Sequence, residues 1–364
     1  MNRISTTNSA RQKAFVAFLY ALFISLAIIS SALLVSVTGG DWRAVLPALI
    51  NGSLLKPGRW GQTLTEAAPL LLVALGAIFT TRMNLVNIGQ EGQLLIGAAC
   101  AAMIATRGSG PFVMVFAILV GGFAGGFWAA IAGVLKYWRK VPVVVSTLLM
   151  VFISTQLTGF LLTKKSLLLD PSGDRPNKTQ TSAQLTSSTR LPYIHIFGNQ
   201  FSLAVPISLI AAFAVLFVLK KTILGFRLSV VGSNARVAQR FGLSERTAGI
   251  LALLVGGAFA GFAGSLMFTA GAANFRYTSG FANNIGWEGL LVALVSRNQP
   301  LAAVIIALIF AGLRTGSSFL ASTGVQREIV DVIRSLLVLA LLMPPAYLFL
   351  RENLKKNSVE GDSK

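Results

Sequence analysis

From Ala14 to Val37 the chain carries no charged side chain, and apolar runs of comparable length recur as far as residue 350. A helix needs about 20 mostly apolar residues to cross a bilayer core. Inside that core only helices and closed barrels satisfy their own backbone hydrogen bonds. Of the 364 residues, 54% are hydrophobic and 12% charged, whereas soluble domains carry roughly 25% charged residues. Too little polar surface remains to cover a soluble globule. The expected fold class is an all-α polytopic membrane protein with about ten transmembrane helices. Soluble enzymes, disulfide scaffolds and disordered chains are set aside. The single cysteine, Cys100, allows no internal disulfide, and the single histidine, His195, allows no histidine cluster or Ser-His-Asp triad.

The first run, 14–37, exceeds the roughly 7–15 residues of a signal-peptide core, so a retained span is expected. An amphipathic stretch follows over 41–62, with Trp42 and Trp60 as interfacial anchors. Further spans are expected at 63–80, 85–106, 111–135, 141–163, 200–219, 247–270, 284–297, 300–315 and 329–350. Of these, 284–297 and 300–315 are short for full crossings. The net charge of +19 collects at span ends, which points to membrane topology and not to nucleic acid. The excess of Lys and Arg lies on the side of Arg3, Arg11, Lys136, Arg139, Lys220 and Lys221, giving an N-in, C-in arrangement. A single transmembrane domain over 1–364 is expected, with a large outside loop at 164–199 and a basic inside loop at 220–246. No Gly-Lys pair occurs, so a Walker A phosphate cradle is absent.

One hexapeptide occurs twice. Asn87-Ile88-Gly89-Gln90-Glu91-Gly92 returns as Asn284-Ile285-Gly286-Trp287-Glu288-Gly289, identical at five of six positions. Under the topology above, the two copies open segments that run in opposite directions. That is the pattern of inverted repeats, about 63–163 and 247–350. Paired glycines disfavour a continuous helix, Asn caps helix starts and Glu suits the positive end of the helix dipole. The motif therefore reads as a broken start to a span, turned toward protein or a cavity. Glu91 and Glu288 either cap helices or pair with Arg82 and Arg297, or they meet a solute. Asn84, Asn87, Gln90, Gln93, Asn284 and Trp287 are candidate path or helix-break residues on the same terms; amides also cross-link helices.

The inside loop contains a short helix in prospect. Ser233 or Asn234 can cap its start, and Gly242 can end it in the left-handed conformation. Arg236 and Arg240 make a basic stripe beside an apolar one of Val237 and Phe241. So short a helix is marginal in water and needs a partner, either another protein or lipid headgroups.

These pieces together resemble the membrane permease subunits of bacterial ATP-binding-cassette importers, in the class of ribose, branched-chain amino-acid and nucleoside permeases. Ala68-Pro69-Leu70 and the stretch Asn87 through Ala98 resemble the nucleoside and simple-sugar branch. Leu224-Gly225, Val231 through Asn234 and Ala238 through Gly242 look like the class's coupling loop. The small-residue run Gly256 through Gly264 and Gly286 through Leu294 match as well, so the likeness covers roughly 60–345. There are departures. Val143-Val144-Val145 stands where the branch usually has Glu-Val, and Val295-Ser296-Arg297 where it has Leu-Gly-Arg.

The resemblance implies an import function for a small polar solute, most like a nucleoside or related sugar-containing compound. It implies ATPase subunits docked on Ser233 through Gly242, a second permease subunit, and a periplasmic or lipid-anchored solute-binding protein. It implies that this chain binds no cofactor, with ATP and Mg used by the ATPase partner, and a place in the bacterial inner membrane. An ion-coupled secondary transporter with inverted repeats is the alternative; an intramembrane enzyme lacks the residues.

Overall fold

The structure, a computed structural model, describes residues 3–171, 180–321 and 325–361. In chain order the helices are α1 (Arg3–Val37), α2 (Val45–Ile50), α3 (Arg59–Thr81), α4 (Gln90–Ala105), α5 (Pro111–Arg139) and α6 (Val143–Leu161). A hairpin of β1 (Tyr193–Ile196) and β2 (Asn199–Ser202) follows. Then come α7 (Ala204–Lys221), α8 (Ile223–Ser233), α9 (Ala235–Arg240), α10 (Glu245–Thr269), α11 (Ile285–Val295), α12 (Pro300–Ala321) and α13 (Arg327–Gly361). The protein is a mostly helical, multi-pass membrane protein. Among the described residues, seven segments are long and apolar enough to span: Phe15–Val37, α3, α5, α6, α7, α10 and α12.

Two segments expected as spans form helices too short to cross. α4 has 16 residues and α11 has 11. At 1.5 Å per residue they reach about 24 and 16 Å, short of the roughly 30 Å core. The stretch expected at 85–106 begins with non-helical backbone to Gly89, because the hexapeptide breaks the helix. By contrast α12 has 22 residues, so the run that read as short at 300–315 continues through Ser317 and Ser318 to Ala321.

The chain forms two compact units, Met1–Thr63 with Phe310–Lys364, and Leu64–Ile309. In the first, α1 packs on α13, with Ala27, Val35, Leu49, Leu320, Ile333 and Leu337 in its core. The amphipathic stretch 41–62 forms α2 and one π-helical turn, Asn51–Leu55. Val45, Ala48 and Leu49 are buried, while Leu46, Ile50 and Leu54 are exposed. Thr63 Oγ1 donates to Ser53 O and meets Thr315 Oγ1, both at 2.7 Å, tying α3's start to α12. On α1, Phe18, Leu22, Leu26, Ile29 and Leu33 form an exposed stripe at helical spacing. Such a face requires lipid or another apolar surface.

The second unit is built on α5, α10 and α4. Glycine rows let α5 and α10 touch backbone to backbone. A Cβ at Gly125 would lie 2.6 Å from Gly257 O and from Gly261 Cα; one at Gly126 would lie 2.7 Å from Leu254 O. Gly133 meets Ile250 and Leu253, so residue numbers fall on one helix as they rise on the other. The pair is antiparallel, with small residues at the contact as membrane packing favours.

The loop expected outside at 164–199 is not merely a polar linker; its residues 172–179 lie outside the described residues. Its second half pairs with the segment after α10. Ser182 N donates to Tyr277 O at 2.9 Å, Leu185 N to Phe275 O at 3.0 Å and Leu191 N to Thr269 O at 2.9 Å. Arg276 Nη1 bridges to Asp170 Oδ2 at 2.9 Å and to Ser182 O at 2.8 Å. Tyr193 Oη donates to Ala270 O. Burial, and then the nearby charge of Glu66, pushes the Tyr193 phenol above its usual pKa, so the donor keeps its proton at neutral pH.

Candidate functional site

The first hexapeptide sits on backbone that has left the helix. Asn84, with φ +54°, turns the chain after α3. Asn87 Oδ1 accepts from Gly89 N at 3.0 Å, a local Asx turn. Its amide also exchanges two bonds with Gln93: Nδ2 to Oε1 at 3.0 Å, and Gln93 Nε2 to Oδ1 at 3.1 Å. The glycines bring this turn onto α6. A Cβ at Gly89 would lie 2.9 Å from Thr147 O, and one at Gly92 3.0 Å from Val151 Cα. Gln90 is fully buried, and neither atom of its amide has a hydrogen-bond partner.

The second hexapeptide opens on the second of two consecutive left-handed residues, Asn283 at φ +45° and Asn284 at φ +65°. Asn284 is the N-cap of α11 but makes no side-chain cap bond. Glu91 supplies the cap from the other copy. Its Oε1 accepts from Asn284 N at 2.9 Å and its Oε2 from Gly286 N at 2.6 Å. Gly286 is needed there, because a Cβ would run into the backbone of Glu91. A buried carboxylate on the first turn of a helix is held by charge-assisted bonds and by the helix dipole. The N-termini of α4 and α11 are thus joined by one side chain.

Beside this junction lies a cavity of about 280 Å³, lined by Glu91, Asn284 and Trp287 with Thr155, Thr158, Gly159, Tyr277 and Asn283 among others. Three of the sequence-derived residues therefore meet at it: Glu91, Asn284 and Trp287. Asn87 and Gln93 instead pair with each other, Asn84 is exposed at its turn, and Gln90 and Glu288 are buried. The α6 wall escaped the sequence reading. Its signal was present as Thr155, Thr158 and Gly159, among the polar residues Ser146, Thr147, Ser154 and Gln156 of the same helix.

Replacing Glu91 by Gln leaves one acceptor and sets an NH₂ group against a backbone N–H. Hydrogen bonds to charged groups contribute about 1.5–3 kcal/mol. The expected result is a lower thermal midpoint of the purified subunit and about tenfold slower transport, read by scanning fluorimetry and uptake. An unchanged midpoint with unchanged uptake contradicts this role.

Between α8 and α10, Asn234 Oδ1 caps α9 by accepting from Val237 N at 3.1 Å, and Gly242 follows it with φ +73°. Ser233 closes α8. Arg236, Arg240, Val237 and Phe241 are exposed, Phe241 by 77%. Gly232, in the last turn of α8, lies against the turn that follows α3: a Cβ there would meet Arg82 O and lie 2.9 Å from Met83 Cα.

Residues 60–342 match the family described as the permease component of branched-chain amino acid transport systems, and the chain belongs to that family. It is 31% identical to the guanosine ABC transporter permease protein NupP of Bacillus subtilis, over 93% of this chain and 96% of that one. It is 31% identical to the glucose ABC transporter permease protein TsgB13 of Haloferax volcanii, over 77% and 75% of the two chains. Against the nucleoside ABC transporter permease protein NupB of Lactococcus lactis, identity is 27% over 76% and 77%. No solved structure matches the chain. The chain is the permease subunit of an ABC importer: a transport subunit and not an enzyme, of a kind that works with an ATPase and a solute-binding protein.

Proposed function

We propose that this subunit carries a nucleoside-like solute across the bacterial inner membrane by alternating access. The observation that carries the reading is the junction of two broken helices, α4 and α11, beside a solute-sized cavity. Broken helices whose N-termini face one another near the bilayer midplane are where transporters with inverted repeats hold their solute. The repeats are 63–163 and 247–350 within one transmembrane domain, with both termini inside. Likeness to guanosine and nucleoside permeases supports the solute class.

In this reading, Ser233 through Gly242 form the coupling helix, with Val237 and Phe241 seated in a groove of the ATPase and Arg236 and Arg240 at its rim. ATP and Mg are bound and used by that partner. Closure of the ATPase pair moves α9, and Gly232 bears on the Arg82–Met83 backbone leading to Glu91. A second permease subunit, a copy or a homologue, completes the passage. The binding protein docks over 164–199 and 275–283.

Reconstitution tests the scheme. The lone chain in liposomes is expected to accumulate nothing under an ion gradient. The assembly with ATPase, second permease and binding protein is expected to accumulate guanosine when ATP is supplied. Uphill uptake by the solitary chain would establish an ion-coupled carrier instead.

A further inference from the structure

We propose that the cavity beside Glu91 is a transit site for a neutral solute rich in hydrogen-bond donors, and that Gly159 on α6 keeps it open. The choice of a nucleoside as that solute rests on the function proposed above; the site itself rests on geometry.

Gly159 is the first ground. Other glycines in this unit, such as Gly125 and Gly257, are met at once by the backbone of a neighbouring helix. A Cβ at Gly159 meets nothing within 4 Å, and the residue lines the cavity. Glycine is a poor helix residue, and close helix packing does not require it here. The open space above it does.

The second ground is the polarity of the α6 wall. Thr155 Oγ1 donates to Val151 O at 3.0 Å, and Thr158 Oγ1 to Ser154 O at 2.8 Å. A hydroxyl has one proton and two lone pairs; with its proton committed to the helix, the exposed Thr155 oxygen offers acceptors, whereas Thr158 is buried and bonded to Tyr277. A solute meeting Thr155 must bring O–H or N–H groups, as sugar hydroxyls and base amines do. Trp287 also lines the cavity. A flat aromatic side chain suits a flat heterocycle, since every base has a π face.

Charge is the third. The lining includes the carboxylate of Glu91 and, among the described residues, neither Lys nor Arg. Such a site disfavours a phosphate, so a nucleoside fits where a nucleotide does not. A volume of about 280 Å³ lies near the lower end for small-molecule sites and admits one such molecule.

The test is uptake of radiolabelled guanosine at saturating concentration by cells carrying the full assembly, with glucose as a second probe. Gly159→Leu is expected to slow guanosine uptake at least about tenfold, with the assembly recovered in wild-type yield. Thr155→Val is expected to slow it about fivefold, the loss of one hydrogen bond, while Thr155→Ser keeps the wild-type rate. Wild-type uptake by an intact Gly159→Leu assembly overturns the site. Should Gly159→Leu fail to assemble, equal rates for Thr155→Val and Thr155→Ser overturn it. A wild-type assembly that takes up glucose but not guanosine, and is blocked by Gly159→Leu, upholds the site and removes the nucleoside assignment.

Discussion

Replacing Gly125 with Leu is expected to abolish accumulation of the folded subunit in the membrane. The Cβ would lie 2.6 Å from Gly257 O and Gly261 Cα, against the roughly 3.5–4.0 Å that carbon contacts prefer. Both neighbours are backbone, so no side chain can swing away. Either α5 and α10 separate by about 1 Å or more along their length, or the turn around Gly257 distorts. Overpacking a core costs about 1–3 kcal/mol, and more where the neighbours cannot move, a large share of the roughly 5–15 kcal/mol that holds a typical domain together. Gly122 on the same helix is the control: its Cβ would meet Ala258 O at 3.5 Å, an ordinary contact, so Gly122→Ala is expected to be tolerated. Size-exclusion profiles of fluorescently tagged subunits read both. A monodisperse Gly125→Leu peak at wild-type height would refute the packing account.

Phe241→Asp is expected to release the ATPase and stop transport while leaving the subunit itself folded. Phe241 is 77% exposed in the chain, and α9 buries only Ala238, so the change removes little packing within the subunit. Burying a Val or Phe side chain contributes roughly 1.5–3 kcal/mol. An aspartate in the same groove would lose that and add the cost of burying an unpaired charge. Together these exceed 1.4 kcal/mol per tenfold several times over, enough to dissociate a micromolar-to-nanomolar contact. Co-purification of the ATPase and uptake are the two measurements. Retention of both would displace the docking helix from this loop. Phe241→Leu, which keeps an apolar side chain, is expected to retain the ATPase.

The long helices were legible because their signal is local. α5, α6, α7 and α10 follow the expected runs at 111–135, 141–163, 200–219 and 247–270, each an apolar stretch ended by charge or by turn residues. The cap of α9 was legible for the same reason: Asn234 and Gly242 act within their own turn. What failed depended on contacts distant in sequence. In the sequence Glu91 reads as a helix cap, a partner for Arg82 or a solute contact, and no local pattern announces the backbone 193 and 195 residues away that its carboxylate binds. The hairpin β1–β2 and the pairing of 181–191 with 269–278 lie in a stretch whose Thr, Ser, Gln and Pro read only as loop. Their strands are stabilised by partners that no periodicity announces. The Thr155 and Thr158 wall was overlooked because hydroxyls in an apolar helix commonly bond their own backbone, as these also do.

The cap that Glu91 gives to α11 has a bearing on heredity. Asn87 serves its own turn, whereas the same letter at Asn284 sits in a left-handed bend and leaves that work to a carboxylate from the earlier copy. The two motifs spell nearly the same word but have ceased to be interchangeable. A gene encoding the second half alone would leave the first turn of α11 without its carboxylate. Mutational drift at Glu91 is therefore judged by selection acting on residues almost two hundred codons downstream.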